Sequence, residues 1–263
     1  MSSAKITYKT AKEIADLRIA GKMLTECLTE LFHFTKAGMR TMDLEMYVTD
    51  KLAKTPEFKW SFKWYNGFPA NLCLSVNDCL VHGIPNNYIL KDGDLIKIDL
   101  WITYNKMITD AAICMVVWWK DKNPKAHKLA KITKKTLDRS VWLIKPWVSI
   151  YEFGRATQKY VTSQWATVVE SLTGHGVWYS VHENPYILNY PDPKYKNIKF
   201  ANNMVVAIEP ILSYTSDDYI QMPGDKWPML TKNWDLWSQR EYTVLVTEKW
   251  CEIIAWVTED LWL

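Results

Sequence analysis

Five side chains of the kinds that bind metals interrupt apolar or glycine-rich segments of this chain. They are Asp99, Asp110, His175, Glu209 and Glu241. Four carboxylates and one imidazole carry too much negative charge to share a core without a cation, because buried charges are paired or bound to metal. An oxygen-rich set with a single histidine suits a pair of divalent ions, which can together hold both ends of a hydrolytic displacement. The fold must therefore bring distant segments together around a metal site.

Residues 94–117 predict a β-hairpin that carries the first two of these donors. Apolar residues dominate both arms, and the polar turn Tyr104-Asn105-Lys106 lies at the midpoint between Asp99 and Asp110. We expect the two aspartates to lie nearly opposite each other, with β-carbons roughly 5 Å apart. Like charges held that close raise each other's pKa unless a cation lies between them.

The remaining pattern alternates helices with short strands. Four helices are predicted from the residues at their starts, which are Thr10 with Glu13, Thr41, Asn123 before Pro124, and Ser149. Short strands follow each pair of helices, so the order of elements occurs twice. This order predicts an α+β protein in which helices cover one face of a curved antiparallel sheet. We expect residues 1–263 to form a single catalytic domain.

Composition excludes several classes of function. The chain is 48% hydrophobic and 23% charged, as soluble globular proteins are, and its net charge of +3 is too small to indicate nucleic acid or a membrane surface as a partner. The polar start predicts no signal peptide. Five cysteines without a Cys-x-x-Cys spacing indicate reduced thiols in a cytoplasmic protein. We expect a monomer.

Several short motifs surround the five donors in a fixed order. They are Tyr65-Asn66-Gly67-Phe68-Pro69-Ala70, Val81-His82-Gly83-Ile84-Pro85, Gly174-His175-Gly176, His182-Glu183-Asn184-Pro185, Ala207-Ile208-Glu209-Pro210 and Gln239-Arg240-Glu241-Tyr242-Thr243. Each motif alone is weak evidence, but their order and spacing together are specific. In these motifs nearly the whole chain resembles the type I methionine aminopeptidases.

The resemblance implies the "pita-bread" fold, in which two pseudo-symmetric halves surround a dinuclear metal site. The five donors would bind two divalent ions (Mn, Fe, Co or Zn), with Asp110 and Glu241 between them. The implied activity is removal of the initiator methionine from nascent polypeptides whose second residue is small. The ribosome is a partner implied by resemblance alone.

The resemblance also implies roles for individual side chains. Glu209 would move a proton from the attacking water to the leaving amine, and His82 and His182 would contact the substrate backbone and the reaction intermediate. The pocket for the methionine side chain would contain Phe62, Tyr65, Phe68, Cys73, His82, His182 and Trp227. Apolar and sulfur-bearing walls suit a thioether.

Other interpretations remain open from the residues alone. Each donor by itself could belong to a buried salt bridge, a turn or a loop. One alternative function is a catalytically impaired pita-bread protein that binds a peptide or a macromolecular partner. Another is a proline-directed aminopeptidase or dipeptidase, but such enzymes usually carry a large N-terminal domain, and here the first helix is predicted to begin near residue 10.

The chain differs from the family it resembles in the number and the positions of its glycines. It has 15 Trp and only 9 Gly, where roughly 7% Gly is ordinary. The resemblance places glycine at five positions that carry tryptophan, which are Trp64, Trp101, Trp147, Trp178 and Trp234. A positive φ at such a turn costs a residue with a β-carbon on the order of 1 kcal/mol. We expect strained or readjusted turns, a substrate entrance narrowed by Trp178, and a sequence altered relative to its relatives.

Overall fold

The helices of the computed structural model form two consecutive pairs. The structure describes residues 6–60, 62–117, 122–221, 224 and 226–257, except for the side chain of residue 60. The helices are α1 (Ala11–Phe34), α2 (Thr41–Lys54), α3 (Pro124–Leu143) and α4 (Ile150–Ser163). No helix within these ranges is long and apolar enough to cross a membrane.

Side-chain caps fix the starts of three helices. The Thr10 hydroxyl accepts a hydrogen bond from the Glu13 amide, and the Glu13 carboxylate accepts one from the Thr10 amide at 2.7 Å, which is a complete capping box. The Asn123 side chain accepts from the Ala126 amide, and the Ser149 hydroxyl from the Glu152 amide. All four predicted helix starts are confirmed, since α2 begins at Thr41.

The strands in the described part of the chain form four antiparallel sheets. In the first sheet β3 (Leu95–Tyr104) pairs with β4 (Met107–Val116) on one side and with β1 (Phe58–Trp60) and β2 (Cys73–Val76) on the other. The second sheet has the order β14-β13-β8-β6-β7, built from β6 (Gly174–Gly176), β7 (Glu183–Ile187), β8 (Val205–Ile208), β13 (Tyr242–Val246) and β14 (Cys251–Ala255). The smaller sheets contain β5 (Thr167–Val168), β9 (Ile211–Ser213) and β12 (Trp237–Gln239), and the hairpin of β10 (Tyr219–Gln221) with β11 (Met229–Thr231).

Each helix pair covers one of the two large sheets. Apolar residues of α1 such as Leu24 and Leu28, together with Leu44 of α2, are fully buried against strands β2, β3 and β4. Val141 of α3 and Phe153 of α4 pack in the same way against strands β8 and β13. Removal of these apolar faces from water is the main force that holds helices to sheets. The predicted arrangement of helices over antiparallel sheets, repeated in each half, is confirmed.

The hairpin register differs from the prediction. Asp99 pairs with Ala112, and Asp110 pairs with Trp101, so the two aspartates are diagonal rather than directly opposite. The reason is the turn, in which Asn105 and Lys106 both have positive φ, of 46° and 71°. Two central residues with positive φ are typical of a type I′ hairpin turn, which fixes the register around that pair.

A hydroxyl joins the first sheet to the second beside the predicted site. Ala112 of β4 and Glu241 form an isolated β-bridge, with the Glu241 amide 3.0 Å from the Ala112 carbonyl oxygen. The fully buried hydroxyl of Thr243 accepts from the Asp110 amide at 2.9 Å and donates to the Asp110 carbonyl oxygen at 2.6 Å. This contact sets the position of Asp110 relative to Glu241.

We expect Thr243→Val to lower the free energy of unfolding by about 1–3 kcal/mol, because a buried amide loses its acceptor while side-chain volume is almost unchanged. Urea unfolding of the purified variant measures this. Thr133→Val is the matched control, since Thr133 is equally buried but its hydroxyl only donates to the Leu129 carbonyl oxygen within α3. Equal losses in the two variants would contradict the proposed role of Thr243.

Candidate metal centre

Two glycines allow the strand that carries His175 to lie between its neighbours. A β-carbon at Gly174 would lie 2.3 Å from the Ala207 carbonyl oxygen, and one at Gly176 would lie 2.6 Å from the Asn184 carbonyl oxygen. Both distances are shorter than real contacts of this kind, so only glycine fits on either side of the histidine. The Gly-His-Gly motif therefore lets β6 pair with β7 on one side and β8 on the other, and it places the imidazole within the second sheet.

The His175 ring faces two carboxylates. Its Nε2 lies 3.8 Å from Asp110 Oδ2 and 3.6 Å from Glu209 Oε1. Its Nδ1 lies 3.0 Å from the Gly176 carbonyl oxygen, which only an Nδ1–H can satisfy by donating. That hydrogen bond leaves Nε2 as the free ligand nitrogen, which is the usual arrangement at metal sites. Donor atoms of Asp110, His175 and Glu241 all lie within 4.8 Å of one another.

The other two predicted donors adjoin this group. Gln239 Nε2 donates to Glu209 Oε2 at 3.1 Å, and the same side chain interacts with the Asp99 carboxylate. Asp99 also interacts directly with Asp110 across the hairpin. The structure thus brings together all five donors that the sequence predicts, from β3, β4, β6, the residue after β8 and the residue before β13.

Burial changes the protonation of the whole group. It raises the pKa of Asp99 to about 7. The pKa values of Asp110, Glu209 and Glu241 rise well above the ordinary range, first through burial and then through repulsion by neighbouring carboxylates. Burial, with the nearby His182, lowers the pKa of His175 to about 3. Such a cluster of carboxylates is costly to ionise without a cation.

Three carboxylate oxygens of the donor cluster support the binding of a metal ion there. Asp99 Oδ1, Asp110 Oδ1 and Glu241 Oε1 are buried and have no hydrogen-bond partner among the described residues. Unsatisfied buried acceptors are uncommon in folded proteins and call for an explanation, such as a bound ion. A divalent cation would satisfy these oxygens and offset the charge, and oxygen donors with one imidazole are ligands that such ions accept.

The residues predicted for the methionine pocket form one aromatic cluster beside the five donors. Phe62, Phe68 and Cys73 are buried, and Tyr65 and Trp227 are partly buried against them. The ring centroids of Phe68 and Trp227 are 5.2 Å apart. Cys73 pairs in register with Asp99, so this wall of the pocket continues into the donor cluster. The predicted pocket residues therefore lie together, next to the five predicted donors.

Two further histidines line the boundary between pocket and donors. The His182 ring lies 4.5 Å from the His175 ring, and its Nδ1 lies 3.2 Å from the Tyr65 hydroxyl. The His82 ring packs edge-on against Trp227, at 5.9 Å. Burial lowers the pKa of His82 to about 4, and desolvation also lowers the pKa of His182. Both imidazoles are therefore neutral near pH 7.

The structure adds Trp101 to the pocket. Its buried indole stacks on Phe62 with centroids 3.8 Å apart and lies edge-on to His182 at 5.6 Å. Sequence reasoning noted Trp101 only as a departure from glycine. The alternation along β3 could have identified it, since Trp101 follows Asp99 by two residues and side chains two apart share a face of a strand. Gln239 was also missed, although it lies in a motif quoted above.

Trp178 packs beside the start of α1. Its Nε1 lies 3.0 Å from the Met107 sulfur, its ring is 4.1 Å from the Tyr179 ring, and the Lys9 ammonium lies 4.8 Å from the ring centroid. These contacts fix the indole at the edge of the apolar cluster that contains the pocket. Narrowing of the entrance by Trp178 stays a prediction.

Comparison with known proteins identifies the family to which this chain belongs. Residues 15–248 match the metallopeptidase family M24, and the chain belongs to this family. It is 33% identical to a methionine aminopeptidase of Mycoplasma capricolum over 95% of this chain and 98% of that one. It is 30% identical to the methionine aminopeptidase of Escherichia coli K12, over 97% and 96% of the two chains.

Solved structures of related proteins share the fold of this chain. The methionine aminopeptidase of Thermotoga maritima superposes with a TM-score of 0.89 at 29% identity, covering 95% of this chain and 99% of that one. A prolidase of Pyrococcus furiosus shares the fold with a TM-score of 0.74 at 21% identity, but only 66% of its chain is covered. The pita-bread fold and the resemblance to methionine aminopeptidases are confirmed.

We expect the Asp99 carboxylate to make the metal-free protein less stable as pH rises from about 4 to about 7, while His175, whose pKa is lowered to about 3, contributes in the opposite direction. The folded pKa of Asp99, about 7, lies above its ordinary value of 3.8, so the folded state binds the extra proton in this window. Stability from this group is complete below pH 3.8 and is lost as pH rises through about 7. Melting temperatures of chelator-treated protein measure the slope.

Asp99→Asn is the matched variant, because the amide keeps the shape of the side chain and cannot ionise. Its melting temperature should fall less steeply over the same pH range. An unchanged slope in the variant would show that burial of Asp99 is not the source of the effect.

Proposed function

We propose that this protein is a metal-dependent aminopeptidase that removes the initiator methionine from nascent polypeptides with a small second residue. The observation that carries the proposal is the contact between the five-donor cluster and the aromatic pocket, joined through His182. An apolar aromatic cluster beside a hydrolytic centre suits a substrate residue with an apolar side chain, such as methionine. The preference for a small second residue, the cytoplasmic location and the ribosome as a partner rest on the resemblance.

The proposed cofactors are two divalent ions held by Asp99, Asp110, His175, Glu209 and Glu241. Three orphaned carboxylate oxygens and a free imidazole nitrogen support this ligand set. Mn, Fe, Co and Zn all suit such ligands. When bound, the ions polarise the scissile carbonyl group and lower the pKa of the attacking water.

Glu209 is the proposed proton carrier. Its Oε2 accepts from Gln239, which holds the carboxylate in place, while Oε1 faces His175 at 3.6 Å. A carboxylate at this position takes a proton from the attacking water and delivers it to the nitrogen of the departing chain. Without a metal ion, burial and the neighbouring Asp99 carboxylate raise the pKa of Glu209, and a bound cation would oppose that shift.

His182 is the proposed donor to the oxyanion. If the Tyr65 hydroxyl donates to Nδ1, the ring proton resides on Nε2, which is then directed to the substrate. A neutral N–H donor near the developing negative charge stabilises the tetrahedral intermediate. His82, beside Trp227, contacts the substrate from the other side of the pocket.

The first test is methionine release from a Met-Ala-Ser peptide by protein stripped of metal and then titrated with Mn or Co. We expect turnover to appear with metal and to be abolished in Asp99→Asn, which removes a ligand charge. Asp218→Asn is the control, since the Asp218 carboxylate is 67% exposed and lies away from the site. Folded, metal-loaded protein without turnover would favour the catalytically impaired alternative.

A second test addresses the tautomer of His182. Tyr65→Phe removes the hydroxyl that holds Nδ1, and we expect kcat to fall about fivefold, the equivalent of one hydrogen bond of about 1 kcal/mol. KM should change little, because the phenyl ring keeps its place in the pocket wall. Tyr8→Phe, at an exposed tyrosine on the surface, is the control. A rise in KM with kcat unchanged would assign Tyr65 to binding alone.

A further inference from the structure

Four tryptophans lie on backbone that glycine adopts most easily. Trp64, Trp147, Trp165 and Trp234 have φ of 72°, 78°, 60° and 59°. A β-carbon collides with the following carbonyl oxygen in this left-handed region, which is why glycine and asparagine predominate there. The other described non-glycine residues with positive φ fit this rule better, since four of the six are asparagines.

The same four tryptophan side chains are largely exposed to water. They are exposed by 72% at Trp64, 78% at Trp147, 87% at Trp165 and 79% at Trp234. Tryptophan normally buries most of its large apolar surface, and that burial is what it contributes to stability. At these four positions the indole therefore buries little apolar surface, while its β-carbon is disfavoured by the left-handed backbone.

Trp147 occupies the glycine position of a type II turn. The Val148 amide donates to the Lys145 carbonyl oxygen at 3.2 Å, and Pro146 is the second residue of the turn. Proline at the second position with positive φ at the third defines type II, and this turn requires glycine or asparagine at the third position. Trp147 is that third residue.

Trp64 occupies the corresponding position of another turn. The Tyr65 amide donates to the Phe62 carbonyl oxygen at 3.0 Å, and Trp64 has φ 72° and ψ −5°. These angles are those of the third residue of a type II turn, near +80° and 0°. Two independent turns of the same type therefore carry tryptophan where glycine is expected.

Trp165 ends helix α4 in a Schellman motif. The Trp165 amide donates to the Thr162 carbonyl oxygen at 3.1 Å, and the Ala166 amide donates to the Val161 carbonyl oxygen at 3.3 Å. With Gln164 as the C-cap, these are the two bonds that define the motif, and Trp165 is its left-handed residue. Glycine is the residue most often found there.

We propose that the cells that make this protein insert glycine at positions 64, 147, 165 and 234. The codon UGA is read as tryptophan in some genetic codes and as glycine in others, so one gene yields either residue according to the code applied. A gene whose UGA codons are read as glycine by the cells, but are written here as tryptophan, accounts for the excess of tryptophan over glycine, 15 against 9. It does not depend on the proposed function.

The decisive experiment is mass spectrometry of tryptic peptides of the protein purified from its source cells. Peptides that cover residues 64, 147, 165 and 234 should each carry the mass of glycine in place of tryptophan. Tryptophan at these positions would overturn the proposal. Peptides without tryptophan serve to identify the protein independently.

Recombinant protein tests the physical reason. Starting from the chain with tryptophan, Trp147→Gly and Trp165→Gly should each raise the melting temperature by roughly 2–4 °C, since the β-carbon that opposes positive φ is removed. Trp147→Ala and Trp165→Ala keep that β-carbon and should give no such rise. Glycine variants no more stable than alanine variants would overturn the backbone argument.

A helical tryptophan provides the matched control for loss of an exposed indole. Trp142 is 62% exposed within α3, where the backbone has ordinary helical angles. Trp142→Gly should lower the melting temperature, because glycine is a poor helix former and the contact with the Trp250 ring, at 4.5 Å between centroids, is lost. An increase there, equal to that at position 147, would show that removing any exposed indole stabilises the protein and would overturn the assignment.

Discussion

The burial of four carboxylates around one imidazole is the constraint on which the rest of the structure depends. A hydrophobic core tolerates one such group only with a partner, and here Asp110, Glu209 and Glu241 all have pKa values raised well above the ordinary range. The protein holds these groups together because each lies on a strand or directly beside one, and the backbone bonds and apolar neighbours of that strand fix it in place. The folded state thus carries an unfavourable electrostatic arrangement that a bound cation would relieve.

Two kinds of contact maintain that arrangement. The apolar faces of the helix pairs supply most of the favourable free energy, far from the site, on the outer side of each sheet. Near the site the polar contacts are few and specific, such as the Thr243 hydroxyl on the Asp110 backbone and Gln239 between Asp99 and Glu209. The division explains how a stable scaffold can support a centre that would not be stable alone.

Chemistry and substrate recognition share the same strands. Cys73 lies opposite Asp99, and Trp101 lies opposite Asp110, so the pocket wall and two ligands alternate along one hairpin and its neighbour. His182 contacts both Tyr65 of the pocket and the ring of His175. In the proposed function, a methionine side chain bound against these residues would lie at a fixed distance from the hydrolytic centre, which is the basis of catalysis by orientation.

Much of this could be predicted from the sequence, because the relevant signals are local. The hairpin around Asn105, the helix caps at Thr10 and Ser149, and the five donors each follow from short motifs. The register of the hairpin was predicted wrongly by one residue on each strand, since the sequence does not state which residues of the turn take positive φ. Trp101 was missed as a pocket residue because its contacts with Phe62 and His182 connect distant parts of the chain.

The sequence by itself determined which groups are available for chemistry and which segments become helices and strands, since residue type and periodicity are local properties. Only the tertiary structure decided that Glu209 faces His175, that three carboxylate oxygens find no hydrogen-bond partner among the described residues, and that Tyr65 contacts His182. It also decided which tryptophans are at odds with their backbone, because the sign of φ depends on the turn that the packed elements close. Distances between segments far apart in sequence depend on how the helices and strands pack, and no single motif determines that packing.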